Sequence, residues 1–471
     1  LAFSPDRKDT ITYAVFAFAN AVIALVLLSG AIVTANHPTA AQDQKPTAAD
    51  PTETANANRE QVSSALRSYA VVSKKRSPQL NLHVFGLPGA PSLNHAVESR
   101  LLDSIEESGG FDGHAAFEPV QTAPDHRWPT ADFLTTSAEP DVQADPRTLD
   151  ISSSVLTAGG RFVVTALRQQ SPKPQTTLLL TDLAADTTVD ARKLFSDEVD
   201  PASVSSDDTG ALTVDGSPIE EDDLTDAGRT VSAALHTPLE FTPPEDQRSP
   251  DFSCTLLPCV ALTYDDGPGE AKTEDALLAA ADEADIRLTY YLLGQNIDEF
   301  PDVARRIAAA GHEVDNHTDR HQRLDLLSPD ALRHEVGRTQ KKLDSVGGSD
   351  PAFVRPPYGA LDKRGAHALG TPAIIWDVDT GDWQNKNPKK IVHNVKKHAR
   401  PGSVVLMHSI HPTTVKAAPK VFSTVADKGM YAVTVRELFS GIKWEKGGSY
   451  FCRGYWNELC SNPEHPSVHK N

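Results

Sequence analysis

Residues 260–268 read VALTYDDGP: a β-prone run, Val260–Tyr264, ends in two adjacent carboxylates, Asp265 and Asp266, and a Gly-Pro turn. Downstream the same texture recurs. Candidate strands at Leu288–Leu293, Glu313–Asp315, Ala373–Trp376, Ser403–Met407 and Tyr431–Val433 alternate with helical segments, two of them starting near Thr273 and Asp302. Strand–helix alternation predicts an α/β domain on a parallel sheet, open or closed into a barrel. Neighbours on an extended strand point to opposite sides, so Asp265 and Asp266 can take different jobs, one on a metal and one on a proton. Taken alone, DDG is more often an ordinary turn.

Outward from this domain, which spans 243–445, the texture changes at the polar, Pro-rich boundary TPPEDQRSP (242–250), and a short C-terminal tail follows at 446–471. Within 79–242, Leu80, Leu82 and Val84 alternate with polar residues, while Leu93, Val97, Leu101 and Ile105 recur at helical spacing. Arg161–Leu167 and Thr176–Asp182 read as strands, with a turn after them at 184–186, so a small α+β domain is expected here. Residues 36–78, rich in Ala, Thr, Asn, Gln, Pro and Asp, read as a flexible linker with a short helix near Val62 to Tyr69. No Asp, Glu, Lys or Arg occurs from Thr10 to Gln42. About 20 apolar residues cross a bilayer. Tyr13–Ala35 therefore reads as a single-pass transmembrane signal-anchor. Arg7 and Lys8 keep residues 1–12 in the cytoplasm and place the rest of the chain outside the cell. The alternatives are a cleaved signal peptide, with a cleavage site in the Ala-rich stretch 35–41, and a buried core helix.

The chain has 471 residues and a net charge of −19, which argues against nucleic acid as a partner. Its four cysteines fall in two local pairs, Cys254 with Cys259 and Cys452 with Cys460. Outside a cell each pair can close a small disulfide loop; the alternative is free thiols. Neither pair has zinc-knuckle spacing.

Three further clusters carry chemistry. In HTDRH, His317 and His321 lie four apart, the spacing that puts two imidazoles on one face of a helical turn for one zinc ion. In RPPYG, Pro356 and Pro357 supply no N–H, which leaves the Tyr358 amide as a defined donor, and Arg355 offers a permanent charge to a carboxylate. In WDVDTGDW and VVLMH, His408 ends an apolar strand, and Asp382 is placed to hold and charge it as a general acid.

TYDDGP, HTDRH, RPPYG, DTGDW and LMH, in that order, resemble the five motifs of the polysaccharide deacetylases, carbohydrate esterase family 4 with its NodB homology domain. The resemblance covers roughly 252–440 and implies a distorted (β/α)7 barrel with a divalent metal, Zn2+ or another transition metal such as Co2+. It implies Asp265 as catalytic base, Asp266, His317 and His321 as metal ligands, and Arg355 as the group that orients Asp265. It further implies the Tyr358 amide in an oxyanion hole, His408 as general acid tuned by Asp382, and Trp383 and Leu406 as walls of the acetyl pocket. Residues 79–242 resemble, by element order, the accessory domain that precedes some cell-wall deacetylases. The implied activity is N-deacetylation of peptidoglycan N-acetylglucosamine, with N-acetylmuramic acid, chitin or another acetylated polysaccharide as alternatives. A wall-binding or sensor protein acting through the middle domain is the non-enzymatic alternative. Departures from the motifs are Tyr264 for Phe, which adds a hydroxyl near the site, Asp315 for Gly, which adds a carboxylate near the metal, and Ser409 for Asp after His408.

Overall fold

The computed structural model describes residues 51–73, 77–109, 145–207, 209–444 and 447–453. The expected cytoplasmic tail (1–12) and transmembrane segment (13–35) lie outside the described residues. Among those described, no helix is long and apolar enough to cross a membrane. The chain divides into two compact units with the break at Pro243–Pro244, and segments 70–81 and 98–127 group with the second.

The region before that break contains α1 (Pro51–Ala65), β1 (Arg67–Ser73), β2 (Gln79–Gly86), α2 (Pro91–Glu107), β3 (Thr148–Gly159), β4 (Phe162–Ser171), β5 (Gln175–Asp182) and β6 (Thr187–Asp190), with the strands in the sheet order β1-β2-β3-β4-β5-β6. A small sheet, β7 (Val204–Ser206), β8 (Leu212–Val214) and β9 (Ser217–Pro218), and α3 (Asp226–Leu235) complete it. Alternate residues of β4 and β5 (Phe162, Val164, Ala166; Leu178, Leu180) bury one sheet face against Leu194, Val231 and Leu235. Thr225 caps α3 by accepting the Gly228 N–H, and a Cβ at Gly228 would lie 2.0 Å from the Leu194 carbonyl oxygen.

The expectation of a flexible linker through residue 78 is corrected by α1 and β1. Asn58, Val62, Ala65 and Leu66 recur at helical spacing and are buried. The Asn58 amide donates to the carbonyls of Ala158 (3.1 Å) and Thr237 (2.9 Å) and accepts the Leu239 N–H (2.8 Å). A buried polar residue satisfied three times takes the place of a large apolar anchor, which is why composition alone suggests coil.

The second unit is α/β. Its elements in chain order are β10 (Cys259–Asp265), α4 (Ala271–Glu283), β11 (Thr289–Leu292), α5 (Gly294–Glu299), α6 (Pro301–Ala309), β12 (Glu313–Asn316), α7 (Pro329–Val346), α8 (Lys363–Leu369), β13 (Ala373–Ile374), β14 (Val378–Asp379), α9 (Pro388–His398), β15 (Val404–His408), α10 (Pro412–Asp427), β16 (Tyr431–Val433), α11 (Val435–Leu438) and β17 (Ser449–Tyr450). The strands are parallel in the order β12-β11-β10-β15-β14, and β16 adds to β10. Parallel bridges from Asn316 to Val354 and from Val354 to Ala373 carry the sheet past β12 to β13 and β17. Only Ile375, Trp376 and Asp377 separate β13 from β14, so the sheet curls until these two strands lie near each other. Among the described residues no ladder joins them.

A disulfide joins Cys254 to Cys259 just ahead of β10, with Cα atoms 5.5 Å apart. Cys452 is also disulfide-bonded. The tail expected from 446 is in part structural: β17 pairs with β13, the Arg453 N–H donates to Gly402 O (2.7 Å), and Phe451 and Cys452 are buried.

Candidate active site

Parallel strands end on one side of their sheet, so residues at the C-terminal ends of β10, β12, β14 and β15 converge. Register sets Asp265 beside His408 on one neighbour and Tyr291 on the other, with Asp315 beyond Tyr291. Asp265 is buried, and its Oδ1 accepts from Arg355 Nη1 at 2.8 Å. Arg355, fully buried, also donates to Thr263 Oγ1 (2.6 Å) and to the carbonyls of Ile374 (3.2 Å) and Ile375 (3.0 Å), and its guanidinium lies 4.0 Å from the Tyr291 ring centroid. One planar, five-donor group thus ties the middle strand to the β13 segment and fixes the Asp265 carboxylate.

The next residue, Asp266, has φ 66°. Its Oδ1 lies 3.4 Å from His317 Nε2 and 3.3 Å from His321 Nε2, and the donor atoms of the three residues lie within 4.8 Å of one another. His317 Nδ1 faces the Arg355 carbonyl at 2.8 Å. A carbonyl only accepts, so Nδ1 carries the proton and Nε2 keeps its lone pair for the cluster. Asp266 Oδ1 is buried without a hydrogen-bond partner. Burial opposes its charge, but the neighbouring histidines hold the carboxyl below the usual range. Two imidazoles, one carboxylate and an unsatisfied buried oxygen fit a divalent metal with positions left open.

The sequence expectation of a helical turn at HTDRH is corrected. The segment is a non-helical bend in which Thr318 (φ 73°) and His321 (φ 56°) adopt left-handed backbone. Asn316 Oδ1 accepts the Thr318 N–H (2.8 Å), and Thr318 O and Asp319 O accept from the amides of Gly294 and Gln295 (both 3.0 Å). Asp319, buried, pairs with Lys342 (2.7 Å) and Arg338 (3.0 Å) of α7.

His408 approaches from β15, with Nε2 4.0 Å from Asp266 Oδ2. Its Nδ1 donates to Asp382 Oδ1 (2.9 Å) and its N–H to Asp382 Oδ2 (2.8 Å), which also accepts the Thr414 hydroxyl (2.8 Å). Burial lowers the His408 pKa, but the Asp382 hydrogen bond and charge, aided by Asp265 and Asp266, raise it to about 9. Tyr358 (φ 60°) follows two prolines, and its hydroxyl lies 3.1 Å from His321 Nδ1. Leu406 is buried two residues before His408 on the same strand face, opposite Thr263; Trp383 and Tyr358 are exposed on their loops.

Two other expectations are corrected. Tyr264 points away from the site: alternation along β10 sends it to the opposite face from Asp265, where it stacks on Tyr290 with centroids 5.8 Å apart. Asp315 does not join the donor cluster; it accepts the Phe353 N–H (3.1 Å), and burial followed by the Glu313 charge raises its pKa well above the usual range. Sequence reading missed Glu274 altogether. This fully buried carboxyl accepts from Ser409 Oγ (2.7 Å) and Gly269 N (2.8 Å), joining the loops after β10 and β15. No motif marks it.

The family model described as polysaccharide deacetylase matches residues 253–372. A peptidoglycan-N-acetylglucosamine deacetylase of Bacillus cereus is 34% identical over 194 residues, 40% of this chain and 70% of that protein. The chain belongs to the polysaccharide deacetylase family. It is also 34% identical over 192 residues to the peptidoglycan-N-acetylglucosamine deacetylase PgdA of Listeria monocytogenes, of which it spans 41%, the match covering 41% of this chain. A chitin deacetylase of Colletotrichum lindemuthianum is 31% identical over 206 residues, 40% of this chain and 82% of that protein. The family-model match ends before Asp382 and His408, whose geometry therefore stands on the structure itself.

Proposed function

We propose that this protein is a metal-dependent deacetylase that hydrolyses the N-acetyl group of N-acetylglucosamine in peptidoglycan and releases acetate. The observation that carries the reading is the Asp266–His317–His321 triad, with Asp265 Oδ2 3.7 Å from His317 Nε2 and His408 Nε2 4.0 Å from Asp266 Oδ2. A divalent ion held by the triad, Zn2+ or Co2+, would supply Lewis-acid polarisation of the acetamide and ease deprotonation of water. Asp265, oriented by Arg355, takes the proton of the attacking water. The Tyr358 amide donates to the oxygen that becomes negative. His408, kept charged by Asp382, protonates the departing sugar nitrogen as acetate leaves. Trp383 and Leu406 enclose the acetyl methyl group.

In this reading the curled sheet is a (β/α)7 barrel distorted where β13 meets β14. The catalytic domain works outside the cell on a single-pass anchor, facing the wall. The likeness to a chitin deacetylase supports neutral chitin as a second substrate. The test is incubation of the purified chain with wall glycan, reading acetate release and the mass of glycan fragments, before and after chelation. Deacetylation that stops on chelation and returns with Zn2+ or Co2+ is expected. Full activity in metal-free protein, or no deacetylation of any N-acetylated glycan, overturns the proposal.

A further inference from the structure

In a chain of net charge −19, the stretch from Gln384 to Ala426 holds eight Lys and Arg and no Asp or Glu. This stretch builds α9, β15 and α10. On α9 the buried side is apolar, with Ile391 and Val395, while Lys389, Lys390, His393, Lys396 and Lys397 are exposed. At 100° per residue these five fall within about 120° of the helix circumference, one continuous cationic flank about 12 Å long. On other helices of this unit several cations pair with acids: Arg305 with Asp302, Arg306 with Asp275, Arg333 with Asp330 and Arg338 with Glu335. Among the described residues none of the four lysines of α9 has such a partner, nor does Lys386 just before it. The charge density is felt locally. His398 on the same helix has a lowered pKa, through burial first and then the charges of Lys397 and Arg400.

The flank begins at the site. Trp383 and Asp382 precede α9 on one short loop, and Asn394 of α9 donates to the Thr380 carbonyl (2.9 Å), fastening the helix to the segment that positions His408. A helix after a parallel strand runs back down the barrel wall, so the lysines lead from the site rim along the outside of the domain. A linear polymer whose sugar sits at Asp265 and His408 extends beyond the rim.

We propose that the cationic flank of α9 docks acidic substituents of the polymer being deacetylated, so that the preferred substrate is a carboxylate-bearing N-acetylated glycan. The inference rests on the deacetylase reading. Single exposed charges contribute little, but a row of them acting on a polyanion adds affinity and encounter rate, and both fall with salt. The effect therefore belongs in KM and its salt dependence, not in kcat.

The experiment compares the full chain with the combined variant Lys389→Gln, Lys390→Gln, Lys396→Gln and Lys397→Gln. Two substrates are used: wall glycan retaining its peptide carboxylates, and a neutral N-acetylglucosamine oligomer. At low ionic strength the variant should lose on the order of 10-fold in kcat/KM on the carboxylate-bearing glycan, through KM, and the loss should vanish at high salt. The neutral oligomer should be turned over unchanged. An equal loss on both substrates, or no loss on the acidic one, overturns the docking surface. Cosedimentation with the same wall glycan, under chelation, separates the two claims. If the native chain turns over neither substrate, the deacetylase reading fails. Stronger low-salt sedimentation of the native chain than of the variant then still upholds the flank, and equal sedimentation refutes it.

Discussion

The substitution Asp382→Asn tests how the proposed acid is kept charged. The amide oxygen it introduces can still accept from His408 Nδ1 while the negative charge is removed, and the amide nitrogen stands where Asp382 Oδ2 accepted the His408 N–H and the Thr414 hydroxyl. His408 stands at about 9 against its ordinary 6.5, and the Asp382 hydrogen bond and charge are the largest of the effects that raise it against burial. Without that charge the pKa falls by roughly 2 units, about 3 kcal/mol, because burial then acts against less opposition. Any metal beside Asp266 is present in both proteins, so their difference reports Asp382. The assay is the pH profile of kcat/KM for acetate release, alongside an NMR titration of the His408 ring. The basic limb should move down by about 2 units, leaving near-normal activity on the acid side and a loss of about 10²–10⁴ where His408 has become neutral. Stability follows with a definite sign. The raised His408 pKa contributes fully below the unfolded value of 6.5, and the contribution disappears as pH rises to about 9. The variant's stability should therefore change less across that window. A basic limb that stays in place while activity falls equally at every pH would refute the reasoning.

Asp265→Asn should retain bound metal and lose about 10²–10⁴ in kcat, whereas Asp266→Asn should lose the metal; elemental analysis showing the reverse would exchange their roles. His312, buried and lowered to about 4, accepts the Leu288 N–H. The folded protein should lose about 3 kcal/mol as pH drops from 6.5 to 4, a loss that His312→Asn, which keeps an acceptor, should largely remove in denaturant titrations. Glu274→Gln should unfold near the native midpoint, while Glu274→Leu, which strands the donors of Gly269 and Ser409, should cost ~2–5 kcal/mol; equal midpoints for the two would show that the bridge carries no stability.

Much of the parallel sheet was legible because strands such as β10, β11 and β15 are short, largely apolar runs between helical segments, whereas β12, EVDN, carries little such signal. The site residues were legible for the same reason: five clusters sat at five strand ends or the turns beside them. Backbone conformation was not legible. HxxxH spacing fits a helical turn, yet here a bend brings His317 and His321 together, and nothing in HTDRH distinguishes the two. Facing is legible at Tyr264, since alternation from Asp265 places its hydroxyl on the other side of the sheet. Glu274 and the α1 contacts were invisible, because a carboxyl on a helix and an Asn in a polar stretch reveal their partners only in three dimensions.

Four residues at the site, Asp266, Thr318, His321 and Tyr358, hold left-handed backbone, and two of them belong to the proposed metal triad. Each such residue costs on the order of 1–2 kcal/mol, most for a β-branched Thr. The cost is met by residues outside the chemistry. Asn296 donates to the Asp266 carbonyl (2.7 Å), Asn316 holds Thr318, and Lys342 and Arg338 grip Asp319. The geometry of the triad is therefore a property of α5 and α7 as much as of the motifs. A chain could keep all five motifs and lose the cluster by losing Asn296 or Lys342.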